Sequence, residues 1–381
     1  MHNIQSICIV ASSPFTVNGF LINHLRELSK IYEITLCINL SEYKLSPRLD
    51  VSSIKIVNIP IQRKISILSD IKALRLLFNL FRTTQFSSVQ SITPKAGLLA
   101  MLAAYFAKIP NRFHTFTGQI WVTRSYMSRT FFRQVDLLIS KLATFVFADS
   151  ASQIDFLVKE GVCEASHIAL LGPGSISGVD LQRFHPNKLK RDGLRQEFSV
   201  SEDSCVFLFM GRLCKDKGIF DLLKAYSSLT AMHQKTSLWI VGPDEEGIAH
   251  KVRQISLQLF NSARWIGPTF APESYMAAAD ILLLPSYREG FGSVIIEAAA
   301  CGLPAIAYRI DGVVDAIIDG QTGVLVDVGD VQGLHHQMQH LLIDHKARSI
   351  MGDLARVRAQ NEFSSEVVTQ AWLNFYQSNV K

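Results

Sequence analysis

The sequence predicts two doubly wound α/β domains, each a parallel sheet with helices on both faces, and a ligand cleft between the domains. Short β-branched runs alternate with longer helical patterns over most of the 381 residues, as expected for parallel sheets that are covered by helices. The alternation restarts near residue 204, and the chain is longer than one hydrophobic core usually serves.

The first half of the chain contains six predicted strands separated by helical stretches. The strands lie at 4–10, 33–39, 54–57, 87–92, 111–115 and 144–148, and the helices lie near 18–30, 66–82, 94–107, 126–143 and 150–160. The N-terminal apolar run has no basic cluster before it and is short for a secretory signal, so we interpret it as a strand. The apolar stretch 97–107 is far shorter than the ~20 residues of a membrane-spanning helix and predicts a buried helix.

The second half repeats the pattern. Its strands are predicted at 204–210, 236–241, 263–266, 280–284, 304–307 and 323–326. Glycines and prolines interrupt all periodicity at 171–186, which predicts the hinge. Residues after 330 read as helices, and the apolar residues of the last one predict that it crosses back to the first domain. The predicted divisions are an N-terminal domain (1–180), a C-terminal domain (181–362) and a final helix (363–381).

Composition excludes several protein classes. With 48% hydrophobic and 19% charged residues the chain is typical of globular proteins, not disordered ones. The six cysteines are scattered without a Cys-x-x-Cys motif, which predicts a reducing cytoplasm and no bound metal. Residues 1–185 hold 19 Lys and Arg against 11 Asp and Glu, and the remainder holds 19 against 22. The basic half indicates an anionic partner or merely scattered solvating charge; no nucleic-acid-binding module is recognisable, so we expect no nucleic acid.

The stretch 282–308 predicts a strand, a glycine-containing loop and a short helix. Ser293 is the predicted N-cap, and the free amides at the helix start, beside Gly292, predict an anion site that a phosphate can approach closely. Glu297 lies among apolar residues of this helix. A ribose diol would supply hydrogen-bond donors to its carboxylate; the alternative is a glutamate favoured only by the helix dipole.

A second loop, at 209–226, is basic. Gly211 ends the preceding strand, and Arg212 and Lys217 follow it before the next helix. Because ligands of doubly wound sheets bind at the carboxyl ends of strands, both cations would reach a diphosphate and stabilise its charge as a leaving group. Glu289, in the first loop, lies where its carboxylate would reach a sugar bound at that phosphate, whereas Lys215 is interpreted as surface.

These motifs carry a family resemblance. GRLCKDKG at 211–218, SYREGFGSVIIEAAACGLPAIA at 286–307 and IDGVVDAIIDGQTGVLV at 310–326 resemble the family 4 retaining glycosyltransferases of the GT-B fold, in particular those that build bacterial capsule and lipopolysaccharide. ISGVDLQRFHP at 176–186 and ADILLLPS at 279–286 are similar to the same family. The resemblance covers nearly all of 171–330, and the N-terminal half is only loosely similar.

The resemblance implies two facing Rossmann-like domains, of which the N-terminal one (1–180) binds the acceptor and the C-terminal one (181–362) binds the donor. It also implies retention of anomeric configuration, no metal and no cofactor. The absence of an Asp-x-Asp tripeptide agrees with metal independence. The implied catalytic residues are Arg212, Lys217 and Glu289, and the implied donor-binding residues are Gly211, Phe291, Gly292, Ser293, Val294 and Glu297.

The N-terminal half departs from the family pattern. Thr117 and Gly118 occupy the place where many relatives have a His-Gly pair beside the donor sugar. His114 lies on the opposite face of the strand and is interpreted as structural. Asn18 and Gly19, in a loop without the family's frequent paired glycines, are candidates for the acceptor site.

The expected activity is hexosyl or N-acetylhexosaminyl transfer from a nucleotide sugar to a lipid-linked or polysaccharide acceptor in bacterial surface glycan assembly, with a UDP-sugar favoured over a GDP-sugar. Two alternatives are a non-hydrolysing nucleotide-sugar epimerase, which would need acid and base carboxylates in the first domain, and a non-catalytic nucleotide-sugar-binding subunit.

The expected location is cytoplasmic, at the inner face of the plasma membrane. Aromatic residues and arginines are interleaved at 119–143, which predicts an anionic membrane surface as partner, and basic residues at 63–82 would extend the same face. The alternative is that the aromatic residues are core and the arginines are solvated.

Overall fold

The structure is a computed structural model, and it describes residues 5–41, 44–62, 65–233, 235–259 and 262–380. Strands and helices are numbered along the whole chain. The strands are β1 (Ser6–Val10), β2 (Glu33–Ile38), β3 (Ile54–Asn58), β4 (Ser88–Ile92), β5 (Asn111–Phe116), β6 (Phe145–Ala148), β7 (Ile168–Leu170), β8 (Cys205–Met210), β9 (Thr236–Val241), β10 (Ala263–Gly267), β11 (Ile281–Leu284), β12 (Ala305–Tyr308) and β13 (Gly323–Val326).

Helices follow most of the strands. They are α1 (Pro14–Phe20), α2 (Ile22–Leu28), α3 (Ile67–Thr83), α4 (Pro94–Phe106), α5 (Tyr126–Leu142), α6 (Ala151–Lys159), α7 (Lys188–Glu197), α8 (Ile219–Thr230), α9 (Ala249–Gln258), α10 (Pro272–Ala278), α11 (Ser293–Ala300), α12 (Val313–Ala316), α13 (Val331–Ile343), α14 (His345–Glu362) and α15 (Ser365–Asn379), with short 3₁₀ turns at Ala165–His167 and Lys215–Lys217. None of the helices in the described ranges is long and apolar enough to cross a membrane.

The chain divides into two compact units. Unit 1 comprises Met1–Gly178 and Ser365–Lys381, and unit 2 comprises Val179–Ser364. The sheet of unit 1 has the order β3-β2-β1-β4-β5-β6-β7, and that of unit 2 has the order β10-β9-β8-β11-β12-β13. The strands pair in parallel in both sheets. The predicted doubly wound α/β fold class is confirmed.

Helix α4 is the buried helix that the sequence predicts, and it packs between α3 and α5. Seven of its residues, mostly alanine and leucine, are buried. Gly97 is required on its inner face, because a Cβ atom there would lie 2.4 Å from Cε1 of His114. His114 is fully buried, its Nδ1 lies 2.8 Å from the Ser91 hydroxyl, and burial lowers its pKa to about 3. The interpretation of His114 as structural fits this environment.

Helix α15 packs within unit 1 through an aromatic face. Trp372 stacks on His24 with ring centroids 4.8 Å apart, and the Thr369 hydroxyl lies 2.9 Å from Nδ1 of His24. Tyr376 is fully buried and donates a hydrogen bond to Gln90 on β4. The apolar residues of the last helix therefore complete the core of unit 1.

The structure corrects some predicted elements. The helix predicted at 18–30 is two short helices, α1 and α2, which meet at Leu21. Strand β7 and helix α7 were not predicted. Residue 4, where the first strand was predicted to begin, lies outside the described residues, as do residues 63 and 64 of the predicted basic face.

Candidate functional site

The candidate site in unit 2 lies where the strand order reverses, between β8 and β11. The loop after β8 carries Arg212 and Lys217, and the loop after β11 carries Glu289. Such a switch point leaves a crevice at the carboxyl ends of the strands, where ligands of doubly wound sheets bind. The topology therefore brings together the two loops that the sequence singled out.

The two loops are in direct contact. Gly218 has a φ of 67°, and a Cβ atom there would lie 1.8 Å from the carbonyl oxygen of Pro285, so only glycine fits. The amide of Tyr287 donates to the Asp216 carbonyl at 2.8 Å. The position of Lys217 is thus fixed relative to the loop that holds Glu289.

Each predicted cation is paired with a carboxylate. Lys217 bonds Glu289, and the exposed fractions of the two side chains are 14% and 12%. Arg212 bonds Glu245, which follows β9. A nearly buried ion pair is stable only if its remaining polar atoms are satisfied. The site therefore holds both cations in place through acidic partners, one of which, Glu245, the sequence reasoning missed.

Two tyrosine hydroxyls, one of them from the loop that carries Glu289, bond to helix α8. The hydroxyls of Tyr287 and Tyr308 donate to Oδ2 of Asp221 at 2.5 and 3.0 Å. The hydrogen bond to the Asp221 carboxylate, with burial, raises the pKa of Tyr287 to about 12. Asp221 lies in the first turn of α8, so it joins the helix that follows Lys217 to the residues just before Glu289.

Helix α11 begins at the same loop, but its N-cap is not the predicted one. Gly292 is the N-cap, with a φ of 82°, and Ser293 is the first helical residue; no side-chain cap is formed. Gly292 adopts this left-handed conformation without strain, so the helix begins one residue earlier than predicted. The first amides of α11 and the positive end of its dipole lie beside Phe291, whose ring is buried against Phe363.

Glu297, one turn into α11, is half-buried beside a salt bridge. Arg183 and Glu273 form that bridge at 2.7 Å. Desolvation raises the pKa of Glu297 to about 7; the positive charge of Arg183 opposes this shift, and the negative charge of Glu273 adds to it. Glu297 therefore remains chargeable near neutrality, in a setting that a hydrogen-bond donor would stabilise. Arg183 and Glu273 were missed because they lie 90 residues apart in sequence.

The four candidate acceptor-site or sugar-contacting residues of unit 1 are in different environments. Asn18 accepts from the amide of Ser46 at 2.8 Å and donates to the carbonyl of Lys44 at 3.0 Å, so its amide holds a loop. Gly19 is exposed on α1. Thr117 and Gly118 follow β5 at the carboxyl edge of the sheet, and Gly118 has a φ of 98°. Only the last two are placed where doubly wound sheets bind ligands.

The structure also tests the predicted interfacial stretch. Trp121 is fully buried and donates to Asp136 at 2.7 Å, so it is core. Arg129 pairs with Glu160 at 2.9 Å, and Arg133 donates to the same residue. These three residues therefore do not form a free interfacial surface. Within the described residues no group of three or more His, Cys, Asp or Glu side chains is arranged to hold a metal.

Comparisons with known proteins find similarity to glycosyltransferases. Residues 190–358 match the family described as Glycosyl transferases group 1. Over 329 residues the chain is 29% identical to the Capsular polysaccharide biosynthesis glycosyltransferase CapM of Staphylococcus aureus, covering 85% of each chain. It is 28% identical to the Lipopolysaccharide core biosynthesis glycosyltransferase LpsE of Rhizobium meliloti, where the match covers 48% of this chain and 53% of that protein.

Solved structures share the fold over almost the whole chain. Anabaena HepE in complex with UDP-glucose superposes with a TM-score of 0.81 at 18% identity, covering 98% of this chain and 99% of that one. WaaG, a glycosyltransferase involved in lipopolysaccharide biosynthesis, gives a TM-score of 0.75 at 17% identity, with 97% and 98% covered. The two parallel sheets, the matched region and these relatives together support a glycosyltransferase of the GT-B fold.

Proposed function

We propose that this chain transfers a hexosyl or N-acetylhexosaminyl group from a nucleoside diphosphate sugar to a lipid-linked or polysaccharide acceptor in bacterial surface glycan assembly, as a family 4 enzyme that retains anomeric configuration. A UDP-sugar is the first candidate donor and a GDP-sugar the second. The relatives named for capsule and lipopolysaccharide synthesis support the pathway class, and the UDP-glucose complex of HepE supports the donor class. No observation favours the epimerase or the non-catalytic subunit.

The observation that carries the proposal is the arrangement of Arg212 and Lys217 beside the start of α11. The loop that carries the cations follows β8, and the loop that leads into α11 follows β11, its neighbour in the sheet, which supports a diphosphate site shared by the cations and the first helix amides. As the glycosidic bond breaks, negative charge grows on the departing diphosphate, and prepositioned donors stabilise it without reorganisation. The same arrangement leaves Glu289 to contact the transferred sugar and Glu297 to accept from the ribose hydroxyls.

A donor must compete with the carboxylates for these cations. Lys217 exchanges its bond to Glu289 for a phosphate oxygen, which frees the Glu289 carboxylate for sugar hydroxyls. Arg212 makes the same exchange against Glu245. Because acidic partners hold both cations, the charges are already in position when the donor arrives, and little conformational entropy remains to be lost.

The assay is nucleotide release from a panel of UDP-glucose, UDP-galactose, UDP-N-acetylglucosamine and GDP-mannose, with a bacterial lipid extract as acceptor. We expect one donor to turn over, and the anomeric proton coupling in the product to match that of the donor. Lys217→Ala should lose activity, whereas Lys215→Ala, at an exposed lysine two residues away, should keep it. Equal activities of the two variants, or an inverted anomeric centre, would contradict the proposal.

We also propose that unit 1 docks on an anionic membrane surface, which would place the enzyme in the cytoplasm at the inner face of the plasma membrane. The first turns of α5 supply the support: Tyr126, Met127 and Phe131 are 84%, 84% and 59% exposed, and Arg124 is exposed beside them. Helix α3, which packs on the same helix α4, exposes apolar side chains near its start and basic ones beyond. Exposed apolar groups next to cations are typical of interfacial surfaces.

Sedimentation with phosphatidylglycerol-containing or pure phosphatidylcholine vesicles tests the docking. We expect the chain to pellet with the anionic vesicles only. Arg124→Ser and Met127→Ser together should weaken this without changing donor affinity, whereas Phe270→Ser, at a fully exposed phenylalanine of unit 2, should not. Equal binding to both vesicle types, or none, would refute the electrostatic docking.

A further inference from the structure

A group of unsatisfied polar atoms lies at the carboxyl edge of the sheet in unit 1. Oγ1 of Thr93, Nε2 of Gln119 and Oδ1 of Asp149 are buried and have no hydrogen-bond partner among the described residues. These residues follow β4, β5 and β6, which are neighbours in the sheet. The register pairs Ile92 with Thr115 and Phe116 with Ala148, so the three segments leave the sheet side by side. We call Thr93, Gln119 and Asp149 the edge cluster.

One glutamine ties the edge cluster together. Gln153 donates from Nε2 to Oε1 of Gln119 at 3.2 Å, and its own Oε1 accepts from the Asp149 amide at 2.9 Å. Gln119, Asp149 and Gln153 are 3%, 6% and 2% exposed. The amide orientations are thereby fixed: turning either amide over would set two donors or two acceptors against each other. The donor on Gln119 and the acceptor on Asp149 are left unused by the fold itself.

The backbone at this edge is also strained. Thr93 has a φ of 75° and a ψ of 145°, a region that β-branched residues avoid. Such strain persists only where the surrounding structure enforces it, and it is concentrated at functional sites. Buried polar groups almost always have partners in folded proteins, so three unsatisfied atoms on one sheet edge, one of them on a strained residue, indicate a site.

We propose that the edge cluster binds hydroxyl groups of a sugar. A hydroxyl both accepts and donates, so one hydroxyl can accept from Nε2 of Gln119 and donate to Oδ1 of Asp149, while the Thr93 hydroxyl serves a second one. A metal ion would face the amide protons of Gln119. Burial raises the pKa of Asp149 to about 8, which keeps this carboxyl group largely neutral, as suits a neutral ligand.

This inference rests on the proposed sugar transfer, because it gives the polyhydroxylated ligand in unit 1 a binding site. The ligand is either the transferred sugar or the acceptor sugar, and both offer the same hydroxyl chemistry. Thr117 and Gly118 immediately precede Gln119, so the edge cluster adjoins the segment for which the sequence suggested proximity to a sugar.

The test is saturation-transfer NMR on the full chain with UDP present, using the methyl glycosides of glucose, galactose, mannose, rhamnose and N-acetylglucosamine as probes. We expect saturation of at least one glycoside, and at least tenfold weaker binding in Asp149→Leu and in Thr93→Val. Both variants should fold with unchanged or raised melting temperatures, because each removes an unsatisfied buried polar group. Asp149→Asn keeps hydrogen-bonding capacity and should stay within a few-fold of wild type.

Binding that persists in both apolar variants, or no saturation of any glycoside by the wild type, would overturn the sugar site. The edge cluster would then hold an ordered water only. Steady-state kinetics show whether the bound sugar is the transferred sugar or the acceptor sugar. A raised KM for the donor in Thr93→Val identifies the transferred sugar, and a raised KM for the acceptor identifies the acceptor sugar. If no nucleotide sugar turns over but glycoside binding is still lost in the variants, the proposed transfer fails and the sugar site stands.

Discussion

Replacing Glu297 with glutamine should raise stability and weaken donor binding at the same time. Its pKa rises from the ordinary 4.5 to about 7 in the folded chain. At about 1.4 kcal/mol per pKa unit, full burial would correspond to roughly 3 kcal/mol of destabilisation above pH 7. Because the side chain is only half-buried, solvent reduces this, and we expect about 1–2 kcal/mol.

The direction of the change in stability with pH follows from proton binding. The folded state holds the Glu297 proton more tightly than the unfolded state, so the native chain loses stability as pH rises from 4.5 through about 7. Glu297→Gln should therefore unfold at higher urea concentration than wild type at pH 8 and at nearly the same concentration at pH 5. Glu202→Gln, at an exposed glutamate of unit 2, should show no such difference.

Donor affinity should change in the opposite direction. A carboxylate bonded to ribose hydroxyls contributes about 1.5–3 kcal/mol as a charged acceptor, and an amide retains part of it, so we expect donor KM to rise roughly tenfold. The reasoning is refuted if the stability gain is equal at pH 5 and pH 8. An unchanged donor KM would instead refute the ribose role alone.

Further outcomes follow from the same site. Lys217→Ala and Arg212→Ala should each lower kcat by about 10²–10³ through lost leaving-group stabilisation, and near-normal turnover in steady-state assays would refute the diphosphate assignment. EDTA should leave activity unchanged; inhibition that Mg²⁺ reverses would contradict metal independence. Gly218→Ala should destabilise by more than 2 kcal/mol in chemical unfolding, since its Cβ atom would lie 1.8 Å from a carbonyl oxygen at a φ of 67°; a small effect would mean that the loops separate easily. Tyr308→Phe should cost about 1 kcal/mol, the net value of its bond to Asp221, and no loss of unfolding free energy would show that Tyr287 alone holds that carboxylate.

The alternation of strands and helices could be predicted because most strands are short runs rich in β-branched, aromatic and other apolar residues. What escaped prediction lacked such a pattern. Strand β7 has only three residues, and α7 is polar around nearly its whole circumference. The order in α7 comes from long-range contacts, since Arg191 and Arg195 bond Asp280 at 2.7 and 2.5 Å. Ion pairs across more than eighty residues leave no periodic signal in a sequence.

In the predicted interfacial stretch, too, the outcome depends on contacts that the sequence pattern does not show. The interleaving of aromatic residues and arginines at 119–143 is visible in the sequence, but which side chains face outward depends on where the chain enters α5. Trp121 precedes that helix and packs inward on Asp136, and Glu160, which pairs with Arg129, is the C-cap residue of α6. In the first two turns of α5, Tyr126, Met127 and Phe131 remain exposed.

At the donor loops the residue types could be read from the sequence, but their pairing could not. The cations and Glu289 stand in recognisable loops, yet the bond of Lys217 to Glu289 exists because β8 and β11 are adjacent although 70 residues of chain separate them.

The acidic partners of the cations, Glu289 and Glu245, have a second role. By pairing with Lys217 and Arg212 they reduce the repulsion between the two positive charges, and they keep the net charge of the crevice near zero until phosphate replaces them. Ground-state binding of a diphosphate then gains little, since one anionic partner is exchanged for another. The additional charge that develops on the leaving group has no such competitor, so these cations act chiefly on the transition state, which is where stabilisation raises the rate.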